Sequence, residues 1–175
     1  KLEEFTAGKF ALQAFIGGSL DVAVAGDVPI GLALLQGQDI VAVGEVLKNS
    51  TDEIRMVARV SGGCGAMTPS AYFGARKRTI ATSFGGGPQY FTIRFLQAND
   101  ITASQVNIVS QKPEEMPASV SRGAVDAIAI FDPAAAEAER LLGPDHCTFP
   151  DPGNYRQHYI AVVKRAAVKG PGDAR

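Results

Sequence analysis

Two stretches of this chain, 105 residues apart, share one grammar. Gly18-Ser19-Leu20-Asp21 leads into the apolar run 22–25 and reaches Asp27, and Gly123-Ala124-Val125-Asp126 leads into 127–131 and reaches Asp132. In each copy the glycine can end a helix in the left-handed conformation. The first aspartate suits a tight turn, and the apolar run reads as a buried parallel strand. Each run closes near a proline, Pro29 or Pro133. Helix, turn and strand, used twice, predict an α/β fold of two similar lobes. The second aspartate of each copy falls at the carboxyl end of its strand, where open α/β sheets bind ligands.

A length of 175 residues allows one domain or two small ones. A hydrophobic share of 46% with 19 glycines and 20% charged residues suits an α/β protein with an aqueous surface. The net charge of −1 gives no overall field for nucleic acid or an anionic membrane. Gly, Asp or Lys interrupts every apolar stretch, so no transmembrane helix is expected. The opening Lys-Leu-Glu-Glu is no signal peptide, and the expectation is a removed leader or sequence lying upstream. Cys64 and Cys147 read as two buried small hydrophobes. A disulfide between them fits an oxidising compartment, and a metal site is disfavoured because structural zinc needs four ligands.

Along the chain, residues 1–5 alternate weakly, with Leu2 and Phe5, as a short strand. Phe10, Ala11, Ala14 and Phe15 recur at helical spacing over 8–16. Strand 21–25, helix 30–35 and strand 40–46 follow. Residues 49–53 are turn-like, and 54–60 alternate, with Ile54, Met56, Ala58 and Val60 on one side and Arg55, Val57 and Arg59 on the other. The Gly-rich segment 61–69 reads as a loop and as the crossing between lobes. Beyond it come strand 78–82, helix 89–97, strand 106–110, a helix from 112 that Gly123 ends, strand 127–131 and helix 133–142. Residues 144–153 read as irregular, 159–163 as a last strand, and 168–175 as a trailing end. The rhythm implies mainly parallel sheets, with lobe one at 1–58 plus 162–175 and lobe two at 59–161. Lobe one is short of strands.

This order of motifs resembles the substrate-binding proteins of bacterial ABC importers, in the nitrate/sulfonate/taurine-type family of type II periplasmic binding proteins. The residues that carry it are Gln13-Ala14 with Gly18 to Ala23, Gly37-Gln38-Asp39-Ile40, Met56 to Arg59, Arg78 to Thr82 before a Gly-rich helix start, and Gly123 to Ala129 with Phe131-Asp132-Pro133. The resemblance implies two Rossmann-like lobes joined by two crossover segments, with a ligand in the cleft and hinge closure on binding. It also implies permease subunits in the membrane as partners, no nucleic acid, and a periplasmic or lipid-anchored extracytoplasmic location. The family's usual first strand and helix, its closing C-terminal helices and its Asp-Leu-x-Gly-Lys are not matched. Residues 70–76 stand in the last position, and the chain reads as a fragment with lobe one incomplete.

Candidate ligand groups follow from these strand exits. Ser83, Phe84, Gly85, Gly86 and Gly87 lie between a strand and a helix, where freed N–H groups make an anion site and the Ser83 hydroxyl adds a donor. A turn that lets helix and strand pack closely is the competing reading, and the resemblance puts the ligand's acidic group at this loop. No Gly-Lys-Ser/Thr follows, so it is no P-loop. Gly26 and Asp27 form the matching exit in lobe one, with helix capping by Asp27 as the alternative. Phe131 is set to pack on the ligand, while Asp132 caps the next helix or receives a cation. Thr6 and Gly8 offer a hydroxyl and N–H groups at the first helix. Asp21 and Asp126 are turn residues at the far strand ends, and Arg76-Lys77-Arg78 is surface charge. Tyr155, Arg156 and His158 read as a solvated hinge face.

No nucleophile, base and orienting acid assemble around the only two histidines, His146 and His158. Neither catalysis nor a cofactor is expected. The sequence therefore points to a solute-binding component for a small anion such as a sulfonate, nitrate or taurine. Two rival readings are the effector domain of a LysR-type regulator, which needs a winged helix-turn-helix, and a pyrimidine-precursor synthase-like protein, which needs a cysteine-rich motif that Cys64 alone does not supply.

Overall fold

The computed structural model describes residues 2–49, 53–149, 153 and 155–168. Expectations for residues 1, 50–52, 150–152 and 169–175 lie outside the described residues. The chain divides into two units, Lys1–Asn49 with Gln157–Arg175, and Ser50–Arg156. The boundaries expected after 58 and 161 fall inside strands, and the reason is pairing. The strand read at 54–60 is hydrogen-bonded on both sides within the second unit, and the strand read at 159–163 on both sides within the first.

The first unit opens with α1 (Gly8–Ile16), β1 (Val22–Gly26), α2 (Asp27–Leu35) and β2 (Ile40–Lys48). The second contributes β3 (Ile54–Arg59), α3 (Pro69–Gly74), β4 (Arg78–Thr82), α4 (Gly87–Ala98) and β5 (Val106–Ser110). It continues through α5 (Met116–Ser121), β6 (Ala127–Phe131), α6 (Ala134–Leu142) and β7 (His146–Phe149), and β8 (His158–Lys164) belongs to the first unit. Residues 2–5 form no strand. The segment read as irregular holds β7, whose four residues are too few to display an alternation.

In the first unit β8 lies between β1 and β2 and runs antiparallel to both. The expected parallel sheet is thus split by a reversed strand, with β1 and β2 running the same way. Gly26 faces Tyr159 and Lys48 faces His158, so the ends of β1 and β2 and the start of β8 share one end of the sheet. Leu12, Phe15, Ile30 and Ala33 from the two helices pack on Ala23, Ala25, Ile40 and Val162. The strand alternation turns Val22 and Val24 outward. Two bulges let the nine residues of β2 pair with the seven of β8.

The second unit has the strand order β5-β4-β6-β3-β7, with β4 parallel to β5 and β6 and β3 antiparallel to β6 and β7. The alternation read over 54–60 is realised. Ile54, Met56, Ala58 and Val60 enter one core with Tyr72, Phe73, Phe91, Phe95 and Phe149. Val57 enters the other with Ile128, Ile130, Ala135 and Ala138. Each large side chain so buried contributes roughly 1.5–3 kcal/mol. The glycine-rich loop expected as the crossing lies inside this unit. Gly62 and Gly63 take φ of 77° and 82°, and the Gly63 N–H closes the turn on the Val60 carbonyl at 2.9 Å. Cys64 in this loop is disulfide-bonded to Cys147 of β7, with Cα atoms 4.7 Å apart, so the reading of two free buried thiols is corrected.

Candidate functional site

Gly18 and Gly123, the helix-ending glycines of the repeat, both take positive φ, 85° and 73°. They turn the chain so that β1 and β6 each run toward their own exits. In the second unit the neighbouring exit, from β4 into α4, has the richest set of polar groups. Ser83 follows β4 and is buried at 2% exposure, and its Oγ has no hydrogen-bond partner among the described residues. Gly85 has φ of 75°, a conformation side chains avoid. Its N–H donates to Gln89 Oε1 at 2.7 Å and is therefore occupied. Gly86 is extended and stands at the N-cap of α4. Pro88 carries no N–H, and the N–H groups of Gly87 and Gln89 donate to no acceptor among the described residues. Phe91, Phe95 and Leu96 anchor the helix in the core, which holds its start in place. Phe84 is partly exposed.

Gln111 completes this exit. It follows β5, its N–H donates to the Thr82 carbonyl at 3.1 Å, and its buried Oε1 has no partner among the described residues. The sequence reading did not single it out.

The first unit's exit is built where Gly26 ends β1 and α2 begins. Gly8 starts α1 close by: a Cβ on it would stand 3.0 Å from the Cα of Ala25. Only glycine lets this helix start approach the strand so closely. Asp27 is the first residue of α2, and its Oδ1 accepts from the Val28 N–H at 2.9 Å. A carboxylate there complements the helix dipole and repels an anion. Thr6 is exposed in the bend before α1. Asn49, just after β2, donates its N–H to the Gln157 carbonyl at 2.9 Å. Both side chains are buried, and Asn49 Oδ1 and Gln157 Oε1 have no partner among the described residues. The Gln157 amide lies over Gly26. Within the segment read as a solvated hinge face, Tyr155 packs edge-on against Tyr90 at 5.0 Å and His158 Nδ1 lies 2.6 Å from Glu45 Oε2. The residue between their positions, Gln157, is the buried one.

The β6 exit is organised differently. Phe131 is half-buried against both cores of its unit. Asp132 is clasped by Arg55, with Nη2–Oδ1 at 2.9 Å and Nη1–Oδ2 at 3.1 Å, and its Oδ1 also accepts from the Ala136 N–H at 3.1 Å. Arg55 Nε donates to Glu139 Oε1 at 2.7 Å, as does Thr148 Oγ1. The hydrogen bond from Arg55 holds the Glu139 carboxyl below the usual carboxylate range against the opposing effect of burial. Asp132 thus accepts a first-turn N–H of α6 and pairs with Arg55, while the N-cap position itself is Pro133.

Four buried side-chain oxygens lack a partner among the described residues: Asn49 Oδ1, Ser83 Oγ, Gln111 Oε1 and Gln157 Oε1. Each lies within one residue of a strand terminus at the carboxyl end of the parallel strands of its unit. An unsatisfied buried polar group costs about 1–3 kcal/mol. These two ends are where the fold leaves hydrogen-bonding capacity unspent.

The two sheets, their strand order and the polar exits define a protein of the type II periplasmic-binding-protein fold. The chain belongs to the NMT1-like family, whose model matches residues 1–141. It is 28% identical over 130 residues to a protein of Escherichia coli K12 described as an aliphatic sulfonates-binding protein, covering 74% of this chain and 39% of that protein. Among solved structures, the periplasmic aliphatic sulphonate-binding protein SsuA of E. coli superposes with a TM-score of 0.72 at 23% identity, over 93% of this chain and 54% of that one. The alkanesulfonate-binding protein SsuA of Xanthomonas axonopodis pv. citri, bound to MOPS, gives 0.76 at 24% identity over 94% and 54%. The chain spans about half the length of these solved relatives. The resemblance read from the ordered motifs thus holds for family and fold.

Proposed function

We propose that this protein is the solute-binding component of an ABC importer, and that its ligand is a small organic anion, an alkanesulfonate above all. The observation that carries solute binding is the gathering, among the described residues, of four unpartnered buried oxygens at the carboxyl strand ends of the two units. Ligand-binding folds leave polar groups unsatisfied where a solute will pair with them. The ligand's charge belongs at Ser83–Gln89, where two N–H groups at the start of α4 and the Ser83 hydroxyl donate. Within the first unit, the Gly26–Asp27 end carries a carboxylate and suits an uncharged polar group, with the amides of Asn49 and Gln157 beside it. The names of the relatives support a sulfonate over nitrate. Partner permease subunits and an extracytoplasmic location belong to the same proposal. The Cys64–Cys147 disulfide supports that location, since such bonds persist in oxidising compartments.

Calorimetric titration with methanesulfonate, longer alkanesulfonates, taurine, nitrate and the matching alcohols tests it. Saturable binding of sulfonates with no binding of the alcohols is expected. Alcohols bound as tightly as sulfonates would overturn the anion reading.

A further inference from the structure

The turn residue Asp126 and the arginines read as surface charge converge at the other end of the second unit. Arg76 and Arg78 both reach Asp126, the aspartate of the second repeat, with Arg78 Nη1 3.4 Å from Oδ1 and Arg76 Nη2 in closer contact with the same oxygen. The Asp126 carboxyl is thereby fixed. Burial raises its pKa, but the Thr79 N–H at 2.8 Å and the two arginines outweigh it and hold the group below the usual range. Arg78 is fixed in turn by its position over the Tyr72 ring at 4.0 Å and by an Nε bond to the Tyr72 carbonyl at 3.1 Å.

Arg59, at the end of β3, is the third guanidinium here. Although exposed, it makes no side-chain hydrogen bond or ion pair among the described residues, and it lies against the Gly123 backbone. Its Nη1 lies 2.4 Å from where a Cβ on Gly123 would stand. The left-handed glycine that ends α5 thus also clears the space that Arg59 fills. Around these groups is a cavity of about 280 Å³ lined by Arg59, Arg76, Arg78, Gly123, Asp126 and Asp145 among others. Asp145 is engaged by the Gly62 N–H at 2.9 Å, in the loop that the disulfide ties to β7. Three guanidiniums face two carboxylates, leaving one net positive charge and the open donors of Arg59 and Arg76 in a preformed, covalently braced recess.

We propose that this recess is a second anion site, independent of the exit described above, which takes a small inorganic oxyanion of the sulfate or phosphate type between Arg59 and Arg76. A guanidinium presents parallel donors that match two oxygens of such an ion. The carboxylate of Asp126 orients the arginines without cancelling them.

The test is a titration of ¹⁵N-labelled protein with sodium sulfate and, separately, sodium phosphate, against sodium chloride at matched ionic strength. Saturable shifts are expected at the amides of Ser61, Gly62 and Gly123 and at Arg59 Nε. Arg59→Ala should weaken the fitted affinity about tenfold, the size of one charge-assisted hydrogen bond, and Arg59→Lys by less. Because Arg59 is exposed, an unchanged melting midpoint certifies the fold of both variants. Shifts no larger than chloride produces, equal affinity in Arg59→Ala, or saturation confined to Ser83–Gln89 would each overturn the proposal. The last outcome would leave the exit reading standing, so the two sites fail separately.

Discussion

The side-chain amide of Gln157 lies against the bare backbone of Gly26, its Nε2 2.9 Å from the point where a Cβ on residue 26 would stand. Gly26 has φ −67° and ψ 156°, a conformation open to any residue. Alanine there meets only the far end of a flexible side chain, so Gly26→Ala should cost no more than about 1 kcal/mol in a denaturant melt. It must, however, push Gln157 out of its buried position at the start of α2. The expected result is weaker sulfonate binding by calorimetry at nearly unchanged stability. Unchanged affinity would remove Gln157 from the set of ligand groups.

Ser83→Ala separates a binding hydroxyl from a packing one. The Oγ is buried and has no partner among the described residues, so its removal relieves a desolvation cost. The variant without ligand should be as stable as the parent or up to about 1 kcal/mol more so. Binding should fall by about fivefold, the value of one hydrogen bond. Opposite movements in melting and affinity identify a ligand donor, whereas a packing role lowers stability.

Arg55 joins three elements by holding Asp132 and Glu139, and its side chain is only 13% exposed. Arg55→Met leaves two carboxylates facing each other with no cation, and a loss of about 2–4 kcal/mol is expected. The pH dependence has a definite sign. Glu139 titrates below its unfolded value because Arg55 donates to it. Its contribution is therefore fully present above the unfolded pKa of about 4.3 and is lost as pH falls through the lower, folded pKa. Glu139→Gln should flatten the acid limb of a stability profile, while the parent should steepen as pH falls below about 4. Parallel acid limbs for the two proteins would contradict this.

The elements were most legible where burial on both faces leaves a continuous apolar run or a clean helical stripe. Residues 78–82, 106–110 and 127–131 are strands as read, and 8–16 is a helix as read. Strand direction was not legible, because an apolar run looks the same either way along the sheet. The boundaries expected after 58 and 161 accordingly fall within the reversed strands β3 and β8. Gly85 and Gly86 could be read as a helix start, but the separate duties that their φ angles impose could not. Asn49, Gln111 and Gln157 carried no signal: a lone amide beside a strand has no pattern until the sheet brings its neighbours. Arg76 and Arg78 looked like surface charge because Asp126, their partner, lies about fifty residues away.

The Cys64–Cys147 bond spans a separation of 83 residues. Closing a loop of that size lowers the entropy of the unfolded chain by roughly 4 kcal/mol equivalent. Protein denatured without reductant should release no thiol from this pair in a colorimetric assay, and reductant should release two and lower the melting midpoint. Two thiols titrating before reduction would show that the bond had not formed.

Gly86→Asp tests the charge at the start of α4 without disturbing the fold. A Cβ at Gly86 would lie 3.6 Å from Pro88 Cδ, ordinary contact, and φ of −139° is open to aspartate. The N-cap is also a position aspartate favours, because its carboxylate accepts from the second or third N–H of the helix. Pro88 has none, so that N–H is Gln89's, one of the two assigned above to the ligand. The variant should therefore melt no lower than the parent, and by about 0.5–1 kcal/mol higher if the cap forms. Its own negative charge then occupies the donors and repels an incoming sulfonate, and affinity should fall well beyond about tenfold, the combined loss of a charge-assisted hydrogen bond and a helix-dipole contact. Gly86→Asn supplies the same cap without the charge and should retain more binding than aspartate. If both variants bind as the parent does, the anion does not sit at α4; if both lose binding equally, occupation of the Gln89 N–H rather than charge is what excludes it.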